Sequence, residues 1–382
     1  MDLDERPVTE ETGIAASDSE TALTPGPEGP GEEPYHGLRW IFVGGQGLRA
    51  GWSVFLFILF TAAIAFAMSL IVRTLTGHRH PGAPASLSPF QTLISELLQV
   101  LAILGAGALM ARIERRRILD YNLRGPRRPQ HFFFGWAAGF VALSALIGAL
   151  AWGGWLRFGP VALNGPRLLG FGAVWALAFL LTGFFEEGAF RCYLQFTLTR
   201  GINFWWALGI VGAICLDLAV RAKGHGVYGV YLIAAALLLP CLALHLKRAP
   251  GSSFWQAAWV TSTVFGFLHT TNGGEDWIGI FSAAAIGFVF CVSIWVTGSA
   301  WWAIGCHAAW DWAETFFYGT ADSGLVSKGH FLTTMPAGKA FWSGGTDGPE
   351  GSVLVLGAIL LLLTVLLLVY GRKQPQAAKG RE

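Results

Sequence analysis

Charged residues are scarce in this sequence. They make up 13% of its 382 positions, whereas a typical soluble domain has about 25%. Ten of the 24 acidic residues lie within the first 36 positions, so the rest of the chain is poorer still in charge. Hydrophobic residues make up 53% of the chain. This composition is typical of a membrane protein and excludes a water-soluble globular domain, and nothing in it suggests a nucleic-acid partner.

Two patterns typical of metal and disulfide sites are also missing. The five cysteines all lie in apolar runs, and no two of them form a C-x-x-C pair. Cysteines in such a setting are usually small packing residues, so we expect neither a disulfide framework nor a thiolate zinc site. The H-E-x-x-H signature of helical zinc sites is absent from the sequence as well.

Long apolar runs fill most of the chain after residue 47. Crossing the hydrocarbon core of a bilayer takes about 20 helical residues, and backbone groups in lipid must be paired within their own helix. The sequence therefore predicts an all-α fold, a multi-pass transmembrane helical bundle of about ten helices. The predicted helices cover residues 50–72, 91–111, 132–155, 168–198, 204–220, 227–246, 254–270, 277–297, 300–318 and 353–370.

The basic residues between these runs indicate an orientation. The largest block lies between the second and third predicted helices and comprises Arg112, Arg115, Arg116, Arg117, Arg124, Arg127 and Arg128. Lys and Arg accumulate on the cytoplasmic side of membrane proteins. With ten helices, we therefore expect both termini in the cytoplasm and the protein in the cell (inner) membrane.

Ionisable residues inside a spanning helix are costly and usually have a function. The fourth predicted helix contains FFEEGAFR at residues 184–191. Glu187 and Arg191 are four positions apart, which places them on one helix face within salt-bridge range. Glu186 points about 100° away from Glu187 and has no such partner, which makes it a candidate general base. The alternative is an arginine that simply neutralises two acids at a helix end.

Histidines occur in two further predicted helices. FGFLH at residues 265–269 ends the seventh helix with His269, and HAAWD at residues 307–311 places His307 and Asp311 on one face of the ninth. Each histidine also has a structural explanation, His269 as a helix-end residue and His307 as half of a polar pair between helices. Taken together, these polar residues of three helices avoid lipid only by facing one another or an aqueous cavity.

In this order, E-E-x-x-x-R, F-x-x-x-H and H-x-x-x-D resemble the motifs of the CPBP intramembrane protease family. That family includes the type II CAAX prenyl endopeptidases and the bacterial Abi proteins. The resemblance covers roughly residues 165–320, and its most specific part is the E-E-x-x-x-R segment. The sequence TGSAWWAIGCHAAWD before and including Asp311 is also similar to the last core helix of the family.

The resemblance implies a role for each polar residue. Glu186 and His269 would hold and activate the hydrolytic water, while Glu187 and Arg191 would support them through a salt bridge and substrate contacts. His307 and Asp311 would stabilise the oxyanion that forms when the carbonyl is attacked. Many family members have Asn where this chain has Asp311, and an ionised Asp would oppose an oxyanion, so Asp311 has a second interpretation as the residue that orients His307.

Zinc remains an alternative to a metal-free glutamic site. Glu186, His269 and His307 are the three residues that would form a catalytic His₂Glu zinc site with one open position. Because the usual helical zinc signature is absent, we favour a site without a cofactor.

The resemblance also divides the chain. The predicted segments are an acidic disordered tail and interfacial lead-in (1–47), the N-terminal transmembrane helices (48–160), a protease-like core (165–320), an extracytoplasmic loop with the last transmembrane helix (321–371) and a basic C-terminal tail (372–382). Residues 204–246 are interpreted as a helix pair inserted into the core.

The predicted function is that of an intramembrane endopeptidase resembling the CAAX prenyl proteases. Its partners would be the lipid bilayer and a peptide or protein substrate in the membrane. That substrate would be either prenylated, as in the eukaryotic relatives, or unprenylated. The main alternative is a non-catalytic immunity or scaffold protein of the same fold, in which the charges only hold helices together. A proton-coupled transporter is the third hypothesis, but the sequence has no clear inverted repeat.

Overall fold

The computed structural model describes residues 39–45, 47–76, 86–221, 239–249, 251–272, 276–322 and 324–371. The predicted acidic tail at 1–36 and the basic tail at 372–382 lie outside the described residues. So does the first part of the predicted helix at 227–246, and with it part of the predicted insertion.

The described chain is built from helices at the predicted places. Their bounds are α1 (Ala50–Thr76), α2 (Pro89–Ile113), α3 (Arg128–Trp152), α4 (Gly165–Glu187), α5 (Phe204–Arg221), α6 (239–246), α7 (Ser252–His269), α8 (Trp277–Thr297), α9 (Trp301–Asp311) and α10 (Val355–Tyr370). One-turn helices lie at Arg39–Phe42 and Ala340–Ser343. This architecture confirms the predicted all-α, multi-pass helical bundle.

Two of the predicted helices change their winding part-way. α4 continues as a π-helix at Gly188–Leu194 and ends with an α-helical turn at Gln195–Thr199. α9 likewise continues as a π-helix at Trp312–Tyr318. π-helical turns are rare and concentrate at functional sites. In both helices the change begins immediately after a residue that the sequence singled out.

Six helices of the described chain are long and apolar enough to cross a membrane, namely α1 to α5, with α4 counted through Thr199, and α8. α10 is apolar but shorter. α1 is mostly exposed whereas most of α8 is buried, so α1 faces lipid and α8 lies inside the bundle. α7 is not among the six, since its buried face carries polar side chains such as Gln256 and Thr261 that contact protein instead of lipid.

α9 lies at the centre of the bundle, against α3, α4 and α8. The close approach of α3 depends on Gly135 and Gly139, because a Cβ at either position would clash with the backbone of α9 at Trp302 and Cys306. Small residues four apart commonly allow membrane helices to pack backbone to backbone. This crossing fixes the depth at which α9 presents its polar residues.

Four short strands form two antiparallel ladders. β1 (Val43–Gly44) pairs with β2 (Gly47–Leu48) just before α1. β3 (Leu156–Phe158) pairs with β4 (Thr334–Pro336), with Leu156 opposite Pro336. The second ladder ties the segment after α9 to the α3–α4 connection, and this segment closes one end of the bundle.

Candidate active site

α4 supplies a buried ion pair. Glu187 and Arg191 are both 0% exposed, and the Arg191 Nε lies 3.2 Å from the Glu187 Oε2. A second contact of 3.4 Å joins the Arg191 Nη1 to the Glu187 Oε1. The ion pair expected from the spacing is therefore present, although the helix turns from α to π between the two residues.

Aromatic rings and a glycine make room for the Arg191 guanidinium. Its central carbon lies 4.4 Å from the ring centre of Phe265 and 5.5 Å from that of Phe290, in cation–π range. A Cβ on Gly287 of α8 would clash with the guanidinium. Arg191 thus lies in a slot formed by three helices, α4, α7 and α8, which holds Glu187 in a fixed position.

The imidazole of His307 connects α9 to α4. Its Nδ1 lies 2.8 Å from the Glu187 Oε1, and because that carboxylate is an acceptor, Nδ1 donates the hydrogen bond. Its Nε2 lies 3.6 Å from the Glu186 Oε2 and 3.5 Å from the Asp311 Oδ2. Glu187 therefore fixes the ring, while the other nitrogen faces two carboxyl groups.

His269 lines the same cavity but stands apart from this network. Its Nδ1 pairs with the backbone oxygen of Phe265 at 2.8 Å, and no hydrogen bond or ion pair joins it to Glu186 or His307. Counting residues along the predicted helices places His269 at a different membrane depth from Glu186. In the structure, these three residues line one cavity, because α9 is short and α7 lies inside the bundle.

The cavity between α4, α7, α8 and α9 has a volume of about 150 Å³. Glu186, His269, His307 and Asp311 all line it. Of the carboxylates that contact His307, Glu186 is the most exposed, with 26% of its side chain accessible. Rings of Phe265 and other apolar side chains complete the wall. The arrangement provides a carboxylate base, two imidazoles and space for water inside a helical bundle.

Several acidic residues near this cavity were not among the predicted site residues. Asp322 and Glu350 line it from the segment after α9, Glu314 is buried beside it, and Glu96 of α2 is within electrostatic range of Glu186. Glu96 and Glu314 both lie in predicted spanning helices. Because an ionisable group is costly in lipid, their positions in those helices could have identified them as candidate site residues. No such signal exists for Asp322 and Glu350, which lie outside the predicted spanning helices.

The donor geometry does not fit the zinc alternative. Among the described residues, no group of three or more His, Cys, Asp or Glu side chains has the arrangement to hold a metal ion. The Nδ1 atoms of His269 and His307 form hydrogen bonds with a backbone oxygen and with Glu187, so Nε2 is the ring nitrogen that each would offer to a metal. Glu186, His269 and His307 line one cavity but do not form such a group.

Residues 236–313 match the family model described as Type II CAAX prenyl endopeptidase Rce1-like. The resemblance to the CPBP intramembrane protease family is confirmed over these residues. The Rce1-like segment contains His269, His307 and Asp311, whereas Glu186, Glu187 and Arg191 precede it. No curated protein and no solved structure matches the chain. At the family level, the Rce1-like match supports a membrane-embedded endopeptidase of the CAAX-protease type.

Proposed function

We propose that the protein is a metal-free intramembrane endopeptidase in which Glu186 activates water. The observation that carries the proposal is the meeting of Glu186, His307 and Asp311 in one cavity, with contacts of 3.5–3.6 Å around the His307 Nε2. The charged pair Glu187–Arg191 lies behind them and is closed to solvent. A base and a hydrogen-bond donor held in a confined polar cavity are the groups that peptide hydrolysis requires.

The reaction begins with water between Glu186 and the substrate carbonyl. Glu186 takes one proton from the water as its oxygen attacks the carbonyl carbon. His307 acts with a proton on both ring nitrogens: its Nε2–H donates a hydrogen bond to the oxyanion that forms, and its Nδ1–H bond to Glu187 keeps the ring oriented. The C–N bond then breaks and the leaving nitrogen takes the proton from Glu186, which returns to its ionised form.

The other two residues position the reactants. Asp311, 3.5 Å from the His307 Nε2, holds the imidazole before substrate arrives. His269, fixed through Phe265, places its remaining nitrogen toward the cavity, where it orients the water or the scissile carbonyl. No step in this mechanism passes through a metal ion.

The substrate that we propose is a peptide segment of a membrane-bound protein. The family name implies a prenylated substrate, and comparing the same peptide with and without an isoprenoid chain tests that part of the proposal. We further propose that the protein lies in the cell membrane with both termini in the cytoplasm, following the distribution of basic residues.

The experiment compares variants of the purified full chain in proteoliposomes containing a mixture of capped peptides, with products identified by mass spectrometry. We expect Glu186→Gln and His307→Ala to lower cleavage by at least about a hundredfold, in the range of general acid–base catalysis. Asp217→Asn is the matched control, because Asp217 lies on the surface, and its ion-pair partner among the described residues is Arg221 of the same helix, α5. Equal cleavage by wild type and Glu186→Gln would refute the proposal.

The non-catalytic alternative also has an observation in its favour. The buried Glu187–Arg191–His307 network joins α4 to α9 and would stabilise the bundle without any chemistry. The two hypotheses differ at Glu186, which faces the cavity and contacts that network through the His307 Nε2 at 3.6 Å. A scaffold protein would retain its cellular phenotype with Glu186→Gln, whereas a protease would lose it.

A further inference from the structure

A groove of about 1130 Å³ lies where the β1–β2 hairpin and the start of α1 meet the end of α4 and the start of α5. It shares no lining residue with the cavity between α4, α7, α8 and α9. A Cβ on Gly201 would clash with the Cβ of Ala50, so the turn after α4 lies directly against the start of α1. The groove is large enough for part of a lipid molecule.

The wall of the groove is mostly apolar and extends into the depth of the membrane. Phe55 follows the first residue of α1 by five positions, and Ile210 follows that of α5 by six. With a rise of 1.5 Å per residue, these side chains lie roughly 7–9 Å inside the ends of their helices. Both helices are long and apolar enough to cross a membrane. The inner part of the groove therefore lies at the depth of lipid acyl chains.

The outer part of the groove is basic. Arg49 and Arg200 line it, and no Asp or Glu is among the described residues that do so. The Arg200 Nη1 lies 3.6 Å from the Glu114 Oε2, and 17% of the Arg200 side chain remains accessible. Both arginines have other interactions in the protein as well. A guanidinium has five N–H donors, so it can bind an anion without giving these interactions up.

The ring of Phe196 holds a further guanidinium close to that of Arg200. The central carbon of Arg116 lies 5.4 Å from the ring centre, and that of Arg200 lies 5.7 Å from it, both in cation–π range. The Arg116 Nε is buried and has no hydrogen-bond partner among the described residues. Burial and the charge of Arg116 both lower the pKa of Arg200. Two like charges beside one ring repel each other, and an anion nearby relieves that repulsion.

We propose that this groove binds an anionic phospholipid, with the phosphate at Arg49 and Arg200 and an acyl chain along the apolar wall. Arginine binds phosphate through paired N–H donors, and basic pockets between membrane helices bind anionic headgroups. Trp52 and Trp206 also line the groove, and tryptophan is enriched at the membrane–water interface, where the headgroups lie. The site is separate from the proposed active site and does not depend on the proposed function.

The test is native mass spectrometry of the purified full chain in detergent. Phosphatidylglycerol and phosphatidylcholine with the same acyl chains are titrated, and so is glycerol phosphate, which has no acyl chain. We expect the first phosphatidylglycerol to bind about tenfold more tightly than the first phosphatidylcholine, because only the former has a net negative charge. Glycerol phosphate should bind more weakly still. Equal affinities for the two lipids, or glycerol phosphate binding as tightly as phosphatidylglycerol, would overturn the proposal.

Arg49→Met tests the basic part of the groove and should remove most of the preference for phosphatidylglycerol. Arg112→Met is the matched control, because Arg112 is exposed in the last turn of α2, near Arg116, and does not line the groove. The control should keep the preference. A similar loss in both variants would indicate a general attraction of this basic end to anionic lipid and would contradict a specific site.

Gly51→Phe tests the apolar part of the groove without changing the charge. Gly51 lines the groove in the first turn of α1, and a Cβ there would meet no atom within 4 Å. The ring should therefore fit without strain and fill space that the lipid needs, lowering the affinity for phosphatidylglycerol about tenfold. Gly357→Phe is the matched control, since a Cβ in this first turn of α10 also meets open space. Unchanged binding by Gly51→Phe would reject the groove as the lipid site.

The acidic N-terminal segment of this chain is the competing occupant. Residues 1–36 contain ten acidic residues and precede the hairpin that borders the groove. In a full chain whose ten acids are replaced by Asn and Gln, the affinity for phosphatidylglycerol should equal that of wild type. Tight binding that appears only after this replacement would assign the groove to the acidic segment and overturn the lipid proposal.

Discussion

Glu187 and Glu314 are both buried, and they differ in what surrounds them. Glu187 is paired with Arg191, which contacts both of its oxygens, and it accepts from His307. Glu314 accepts only from the indole of Trp310 and forms no ion pair with a basic residue among those described. Each lies beside a π-helical turn, Glu187 just before that of α4 and Glu314 within that of α9.

The difference lies in how far the charge of each glutamate is compensated by neighbouring groups. At Glu187 the charge is compensated within the protein, so the network is rigid and keeps His307 in one orientation. At Glu314 the side chain accepts from one neutral donor, the Trp310 indole N–H, and no basic residue among those described forms an ion pair with it. A buried charge is destabilising without a partner, so the cation beside Glu187 gives its carboxylate a stabilisation that Glu314 does not receive from the described residues.

Arg191→Met should have the largest effect of the changes that test this comparison. It leaves Glu187 buried without its cation, and removing one partner of a buried ion pair typically costs about 3–5 kcal/mol. We expect a strongly lowered unfolding midpoint in detergent and loss of peptide cleavage. Arg221→Met is the matched control, since Arg221 forms an i,i+4 pair with Asp217 at 2.6 Å on the surface, with 61% and 42% of the side chains exposed.

For the control we expect a loss of no more than about 0.5 kcal/mol, as for other exposed helix pairs. Equal destabilisation by the two methionine variants would mean that burial does not distinguish the two ion pairs, and the proposed rigidity of the Glu187 network would be wrong.

Replacing Glu187 or Glu314 by glutamine should change the free energy of unfolding in different ways. Glu187→Gln leaves the Arg191 guanidinium buried without a counter-ion and should cost about 2–4 kcal/mol. Glu314→Gln removes an uncompensated carboxyl and retains an acceptor for Trp310, so the free energy of unfolding should stay within about 1 kcal/mol of wild type or rise. Chemical unfolding of both variants in the same detergent measures the difference. A large loss of stability with Glu314→Gln would show that Glu314 has a cationic partner.

Trp310→Phe should have an effect on stability between those of Glu187→Gln and Glu314→Gln. It removes the N–H that serves Glu314 and Glu350, for which we expect a loss of about 1–2 kcal/mol. Chemical unfolding in the same detergent measures this loss. A loss well above that range would show that Trp310 stabilises the surrounding packing as well as these two hydrogen bonds.

The helices and part of the site could be predicted from the residues alone. Where the structure describes both ends of a predicted helix, the apolar runs predicted it to within a few residues, because a chain in lipid must pair its backbone within each segment whatever its neighbours are. α3 ends at Trp152, three residues before the predicted end, because two glycines follow it and the chain turns toward β3. The contact between Glu187 and Arg191 follows from their spacing on one helix.

Other features of the site depend on the tertiary structure. The spacing of His307 and Asp311 predicted that they share a face, but only the packing of α9 against α4 reveals that Glu187 fixes the imidazole. The membrane depth of His269 depends on the position of α7 inside the bundle, which the sequence did not specify. Asp322 and Glu350 carry no sequence signal, since charged residues are ordinary in loops and their contacts with the cavity arise from chain folding.

The sequence by itself determined that this protein is a helical membrane protein and that its polar residues must cluster, since lipid offers a charged side chain no partner. The tertiary structure decided what surrounds each buried charge. Arg191 lies beside Glu187 in a slot that Gly287 keeps open, and no basic residue among those described pairs with Glu314. The Glu187–Arg191 pair follows from spacing along one helix, but the slot around Arg191, the bond from His307 to Glu187 and the surroundings of Glu314 depend on distances between separate helices, which that spacing does not specify.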